Sequence, residues 1–291
     1  MGVGVLAACS PVATSTPTST PTGSPSPSAP LPAGISVSAY QNRDDYGPRR
    51  LELAVENSGT RDITITRATY SSPHFTTDAA WTRRTEIPSG STRDLRVELG
   101  PTRCSTTGSA ADAVTLHYTL PDGTSGVTTL TPTIRFRAVD LIVGQDCAEQ
   151  LTADHVAISL AGGLRTTVRK GHPIALLDIT FAPTDAEGSV TLSRIDRTIL
   201  LRPADNTDTW PLDLTIAAGS EPVTKTLEIV PANCRLHTVT EDKRGTFFPL
   251  TVTPSGASEG LFYLASTSAM KEAFYDYIAD YCGWDASTPL D

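Results

Sequence analysis

Runs of about five to seven residues that alternate apolar with polar, broken by Gly, Pro, Asn and Asp, recur through most of the chain. Leu51-Glu52-Leu53-Ala54-Val55-Glu56 is one; Asn57-Ser58-Gly59 turns it, and Ile63, Ile65 and Ala68 resume on one face. Val114, Leu116, Tyr118 and Leu120 share a face, with Thr115, His117 and Thr119 on the other. A period of two bounded by turn residues predicts half-buried strands. Many short strands at regular spacing predict antiparallel sandwiches that look immunoglobulin-like. One segment has a helical period: Met270, Phe274, Tyr277, Ile278 and Tyr281 lie on one stripe behind Ser268, a candidate N-cap. The fold class expected is therefore mainly β, with two tandem antiparallel β-sandwich domains, one short C-terminal helix and a disordered N-terminal stalk.

The second half repeats the first. Ile63-Thr64-Ile65-Thr66-Arg67 answers Val190-Thr191-Leu192-Ser193-Arg194 at a shift of 127. Trp81 answers Trp210 at 129, and Val97 to Cys104 answers Leu227 to Cys234 at 130. Val114 to Leu120 answers Phe247 to Val252. A shift that drifts by only a few residues is what duplication with small loop insertions leaves. The expected divisions are a remnant signal peptide over 1–8, a lipidated cysteine and Ser/Thr/Pro-rich stalk over 9–34, one sandwich over 35–148, and a second with the C-terminal helix over 149–291.

Cysteine usage narrows the compartment. Setting Cys9 aside leaves Cys104, Cys147, Cys234 and Cys282, an even set that an oxidising compartment favours. Four cysteines allow three pairings; the register of the repeat favours Cys104 with Cys147 and Cys234 with Cys282. No two cysteines have the close spacing of a zinc site, and no metal or other cofactor is expected.

The segment Leu6-Ala7-Ala8-Cys9 precedes a charge-free tract, Ser10 to Gly34, made almost wholly of Ser, Thr, Pro, Ala and Gly. It resembles the lipobox of bacterial lipoproteins. That resemblance implies cleavage before Cys9, palmitate-type acylation there, and attachment to the extracytoplasmic face of the cell membrane. Only eight residues precede Cys9 and none is basic, whereas a signal peptide needs a basic start and an apolar stretch of about 7 to 15 residues, so the translated chain is expected to begin further upstream. Acyl chains hold a protein at a membrane without a spanning helix, and a Pro-rich tract near 25 residues reaches on the order of 75 Å.

Net charge is −9, placed unevenly: residues 35–146 carry 12 basic and 13 acidic side chains, and residues 147–291 carry 11 and 19. The acidic distal half repels polyanions and argues against nucleic acid as a partner. Partners are expected at the membrane, through the lipid, and in an envelope protein or polysaccharide.

Candidate chemistry is sparse. Gly256-Ala257-Ser258-Glu259-Gly260 has the spacing of a nucleophile elbow, but no His follows it. Ser268-Ala269-Met270-Lys271 has the spacing of penicillin-recognising enzymes without their later motifs. Five scattered histidines form no metal pattern; His237 with Glu241 and Asp242 could make an acid/base cluster, although Glu241 to Gly245 reads first as a charged hairpin turn. Asp205 with Asp208, and Asp185 with Glu187, are loop carboxylates that Ca²⁺ could use. Arg83, Arg84, Arg93, Arg96 and Arg103 could form an anion-binding surface, or a solvated strand face paired with Glu86, Asp94 and Glu98. Trp81 and Trp210 read as core or edge aromatics, with sugar stacking the alternative.

The function expected is a non-catalytic binding module on a lipid anchor, with no catalytic residue; Arg83, Arg84, Trp81, His237 and Glu241 are the candidate ligand surface. An extracellular enzyme, or an accessory domain of one with an acidic site in the second unit, is the alternative, and needs His237, Glu241 and Ser258 to converge. A structural spacer is the second.

Overall fold

The computed structural model describes residues 1–2, 29–104, 111–242 and 244–284 of the 291; Cys9 and residues 10–28 of the expected stalk lie outside the described residues. The first unit contains β1 (Ile35–Tyr40), β2 (Arg50–Asn57), β3 (Ile63–Ser71), β4 (Ala79–Trp81), β5 (Thr85–Ile87), β6 (Ser91–Glu98), β7 (Ala113–Thr119), β8 (Ser125–Leu130) and β9 (Thr133–Ile134). Helix α1 (Ala138–Ala153) follows. The second unit contains β10 (Val156–Leu160), β11 (Arg165–Arg169), β12 (His172–Pro183), β13 (Ser189–Asp196), β14 (Leu201–Pro203), β15 (Thr209–Ala217), β16 (Val223–Pro231), α2 (Leu236–Thr240), β17 (Phe247–Pro254), β18 (Gly260–Ala265) and α3 (Ser268–Cys282).

Each unit is two sheets face to face. In the first, one sheet runs β6-β2-β1-β9 and the other β4-β3-β7-β8, with β5 beside β3. In the second, β14-β16-β12-β10, with β11 beside β12, faces β15-β13-β17-β18. The shared part, three strands against four, is the immunoglobulin-like arrangement. The repeat extends to an irregularity: β3 skips Thr66 where it pairs with β7, and β13 skips Ser193 where it pairs with β17. These bulged residues stand at matching places in the duplicated segment, as bulges inherited with a fold do.

Alternation supplies the two cores. Leu51, Leu53, Ile65, Leu95, Leu116 and Tyr118 are buried in the first, and Leu177, Phe181, Leu192, Ile229, Phe248 and Phe274 in the second. Helix α3 lays the expected stripe of Met270, Phe274, Tyr277 and Ile278 into the second core. Its N-cap is Thr267, whose hydroxyl accepts from the Met270 N–H at 3.2 Å, one residue before the Ser268 expected; Gly283, at φ +67°, ends it. Among the described residues no helix is long and apolar enough to cross a membrane.

Three features depart from the sequence reading. Helix α1 was not among the expected elements, because its apolar side chains do not form one stripe: Ala138, Val139 and Ile142 close the first core, whereas Ala148 joins the second. The division expected between residues 148 and 149 falls inside this helix, which belongs to both units. Gly260 of β18 meets α1 at Ala148, where an added Cβ would stand 2.8 Å from the alanine methyl. Finally, residues 29–34 of the expected stalk lie on the first sandwich: the Ala29 N–H donates to Ser125 O at 2.9 Å, the Tyr118 hydroxyl donates to Ala29 O at 2.6 Å, and Leu31 packs on the core.

The disulfides close each unit on itself. Cys104 is joined to Cys147 of α1 across 43 residues, and Cys234 to Cys282 of α3 across 48.

Candidate functional site

The connection from β1 to β2 carries three acidic or aromatic residues into a short turn, and its own hydrogen bonds set which way each points. Asn42 precedes a single 3₁₀ turn, Arg43–Asp45, and its N–H donates to the Asp45 carboxylate at 2.9 Å. Asp45 is thereby buried against the outer face of β2 beside buried Glu52. Arg96 of β6 serves both, at 3.2 Å to Asp45 and 2.6 Å to Glu52. Burial pushes the Glu52 carboxyl above the usual carboxylate range, against the lowering effect of the Arg96 hydrogen bond. At the other end of the loop Arg49, held at φ +55°, reaches Asp146 of α1 at 2.8 Å and Gly100 O at 3.1 Å. Pinned twice, the loop presents Arg43 and half-exposed Tyr46 toward the second unit.

The facing wall comes from α2 and the turn that follows it. The Asp242 carboxylate accepts from the Gly245 N–H at 2.6 Å and the Arg244 N–H at 3.2 Å, and also from the Tyr275 hydroxyl of α3 at 3.3 Å. The Thr198 hydroxyl donates to Gly245 O at 2.5 Å and accepts from the Leu201 N–H at 2.9 Å. No side chain fits at Gly245, where a Cβ would stand 2.6 Å from the Asp242 carboxylate. So fixed, the turn projects Arg244, whose guanidinium carbon lies 3.7 Å from the centre of the Tyr263 ring and 4.6 Å from that of Tyr46. One ring belongs to each unit, and the cation between them joins the two.

Together these groups enclose a cleft of about 460 Å³, lined by Arg43, Tyr46, Ile199, Glu241, Arg244 and Tyr263 among others. Ile199 is 58% exposed, a large aliphatic left in water beside the half-buried Phe247 and Pro249. Polar groups in the same walls are His237, Thr238 and Arg197.

The sequence candidates divide. His237 and Glu241 do line this cleft, 3.3 Å apart across one turn at the end of α2, with most of each side chain in solvent. Ser258 lines a different cavity, between α1 and the β17–β18 turn, so the enzyme alternative does not find its three groups in one site. Glu241 to Gly245 is a helix-to-strand connection, whereas a hairpin turn was expected; the strand partner it needed is replaced by α2.

Arg83, Arg84 and Trp81 lie elsewhere, where the strand that is continuous in the second unit as β15 breaks into β4 and β5. Arg83 stacks on Trp81 at 4.3 Å, and the indole N–H donates to the Thr85 hydroxyl at 3.0 Å. Trp210, its counterpart, is buried and donates to Glu228 O at 3.0 Å. The expected arginine face does not act as one group: Arg96 belongs to the buried pair above, Arg103 donates to Thr76 O, and Glu98 pairs with Arg50 at 3.3 Å. Of the Ca²⁺ candidates, Asp205 accepts from the Thr207 N–H and hydroxyl, and Asp208 pairs with Arg197 at 2.7 Å. Among the described residues no cluster of three metal-ligating side chains forms.

Sequence reasoning missed Tyr46, Ile199, Arg244 and Tyr263. Tyr46 and Arg244 sit in polar turns where periodicity carries no information, and Tyr263 alternates with buried Phe262 and Leu264 on β18, a position that the pattern marks only as outward-facing. Ile199 opens the apolar run Ile199-Leu200-Leu201, of which only the last two are buried, so the run itself does not mark Ile199 as the exposed member.

No protein-family model matches the chain, and no curated protein matches it either. Among solved structures, red sea bream transglutaminase aligns at 11% identity and TM-score 0.23, over 81% of this chain and 32% of that one, so this chain spans about a third of its length. The YadV chaperone aligns at 15% identity and TM-score 0.24, over 79% of this chain and 100% of that one. An exo-chitosanase of Amycolatopsis orientalis aligns at 10% identity and TM-score 0.19, over 79% and 26% of the two chains.

Proposed function

We propose that the chain is a cell-envelope lipoprotein, acylated at Cys9 and held on the outer face of the membrane, that binds an envelope partner in the cleft between its two sandwiches. The observation that carries the binding reading is Arg244 between Tyr46 and Tyr263: a site built from both units, rigidly backed, and bordered by an aliphatic side chain in water. Aromatic and arginine side chains are the groups that dominate recognition surfaces.

Geometry gives the cleft a sensible place on such a tether. Residues 29–34 dock beside Ser125 and Ser58 at the start of β1, and the loop that bears Tyr46 leaves the end of β1, about 20 Å along the strand. The cleft therefore lies at the opposite end of β1 from the point where residues 29–34 join the first sandwich. Bonds from hydroxyls and backbone amides fix the Asp242 turn, whereas the exposed His237–Glu241 pair joins two residues one turn apart, with most of each side chain in solvent. That arrangement suits contact with a partner better than proton transfer, which needs groups positioned against a substrate.

Crosslinking in intact cells followed by pull-down tests the reading. The wild-type chain is expected to retrieve a partner that Ile199→Asp loses, and metabolic acyl labelling is expected to disappear in Cys9→Ser. Retention of every partner by Ile199→Asp overturns the cleft; acyl label that persists without Cys9 overturns the anchor.

A further inference from the structure

The Arg244 guanidinium lies over the rings of both Tyr46 and Tyr263, and stacking of this kind leaves its in-plane N–H donors as the part that can still bind. Among the described residues no carboxylate lies within ion-pair distance of Arg244 or of Arg43, while neighbouring Arg197 is engaged by Asp208 at 2.7 Å. Asp242 is close in sequence but spends its oxygens on the Gly245 and Arg244 N–H groups and on the Tyr275 hydroxyl. A planar fork stacked on aromatics and lacking an acceptor is the geometry that takes a carboxylate through two parallel hydrogen bonds.

We propose that the cleft recognises a carboxylate on a peptide segment of its partner, an acidic residue with an apolar neighbour. Arg244 would take the carboxylate in its plane, Arg43 would add a second cation from the first unit, and the apolar neighbour would cover Ile199, Pro249 and Phe247. The inference rests on the cleft being the binding site and names what it binds.

Charge chooses among oxyanions. Glu241 and Asp242 line the same cleft, and the half of the chain that supplies this wall carries 19 acidic side chains against 11 basic. A dianionic phosphate is repelled by that field more strongly than a single carboxylate. The exposed aliphatic surface, in turn, favours a peptide over a sugar acid, which would have little to lay against Ile199.

The test is side-chain NMR of the arginine Nε–H groups in the disulfide-intact chain, titrated with four probes: a blocked leucine–aspartate–leucine tripeptide, its asparagine counterpart, phenyl phosphate and glucuronate. The aspartyl peptide is expected to shift the Arg244 resonance and to bind at least about tenfold more tightly than the asparaginyl one, the scale of a charged bidentate pair. Arg244→Lys keeps the charge and loses the fork, so it should reduce that preference, and Arg244→Gln should abolish it; Tyr46→Ala, in an exposed loop of the other unit, should weaken the aspartyl peptide without altering the second core's spectrum. Equal affinity for the two peptides, tighter binding of phenyl phosphate or glucuronate, or no response to any probe overturns the proposal. If the probes fail while Ile199→Asp still loses its partner in cells, the cleft stands and the carboxylate falls.

Discussion

Two carboxylates occupy matching places in the two units and live in opposite environments. Glu52 of β2 faces Arg96 across the ladder to β6, and Asp178 of β12 faces Thr226 across the ladder to β16. Glu52 is buried and its pKa is raised, chiefly by desolvation. Asp178 is partly exposed and its pKa is lowered, first by the Thr226 hydroxyl at 2.5 Å and then by Arg165 at 2.7 Å. The difference comes from the preceding connection. In the first unit it folds back as a 3₁₀ turn over β2, buries Asp45 there and delivers Arg43 and Tyr46 to the joint; in the second it extends as β11, every residue of which is exposed. One duplicated position has thus become the buried foundation of an interface, and its copy has remained an ordinary solvated pair.

The largest expected effect leaves the two units alike. Replacing Cys147 or Cys282 with Ser opens loops of 43 and 48 residues, and each should cost about 4 kcal/mol on the loop-entropy estimate, read by thermal or denaturant unfolding of the separate variants. A large inequality would mean that one bridge is redundant with α1 packing.

The ion pairs should separate the units. Arg96→Ala strands Asp45 and Glu52, both buried, and should cost about 2 to 3 kcal/mol, below the figure for a fully buried pair because Arg96 is itself 43% exposed. Arg165→Ala, removing the solvated partner of Asp178, should cost under about 1 kcal/mol. Equal losses in denaturant melts would contradict the account of the loop.

The smallest effect is a pair of opposed pH slopes. A carboxyl raised in the fold holds its proton longer than in the unfolded chain, so the contribution of Glu52 is greatest at low pH and declines as pH rises past the ordinary carboxylate value into its raised range. Asp178, lowered, contributes above the ordinary value and loses that contribution as pH falls. Stability profiles of Glu52→Gln and Asp178→Asn should therefore differ from the parent with opposite sign of slope; the same sign in both would refute the contrast.

Where side-chain period alone decides structure, the sequence was readable. The alternation in β2 and β7, the stripe of α3 and the matched segments around Thr66 and Ser193 all specify local structure whose core side faces inward. Helix α1 was hidden because a helix that seals two cores has no polar side long enough to mark it. The cleft was hidden for a related reason: its residues come from turns in both halves, and the packing that brings Tyr46 to Arg244 leaves no trace in local pattern. His237 and Glu241 were found by residue type, and Ser258 was proposed by motif spacing without the geometry to join them.

The claim on which the functional account rests is that a partner is held at the joint. A photoreactive benzophenone side chain installed at Ile199, compared with one at Val168 on exposed β11, tests it in intact cells. The account predicts a discrete crosslinked product from position 199 that Arg244→Gln abolishes, and none of that size from position 168. The same products from both positions, or a product at 199 indifferent to Arg244→Gln, would contradict it.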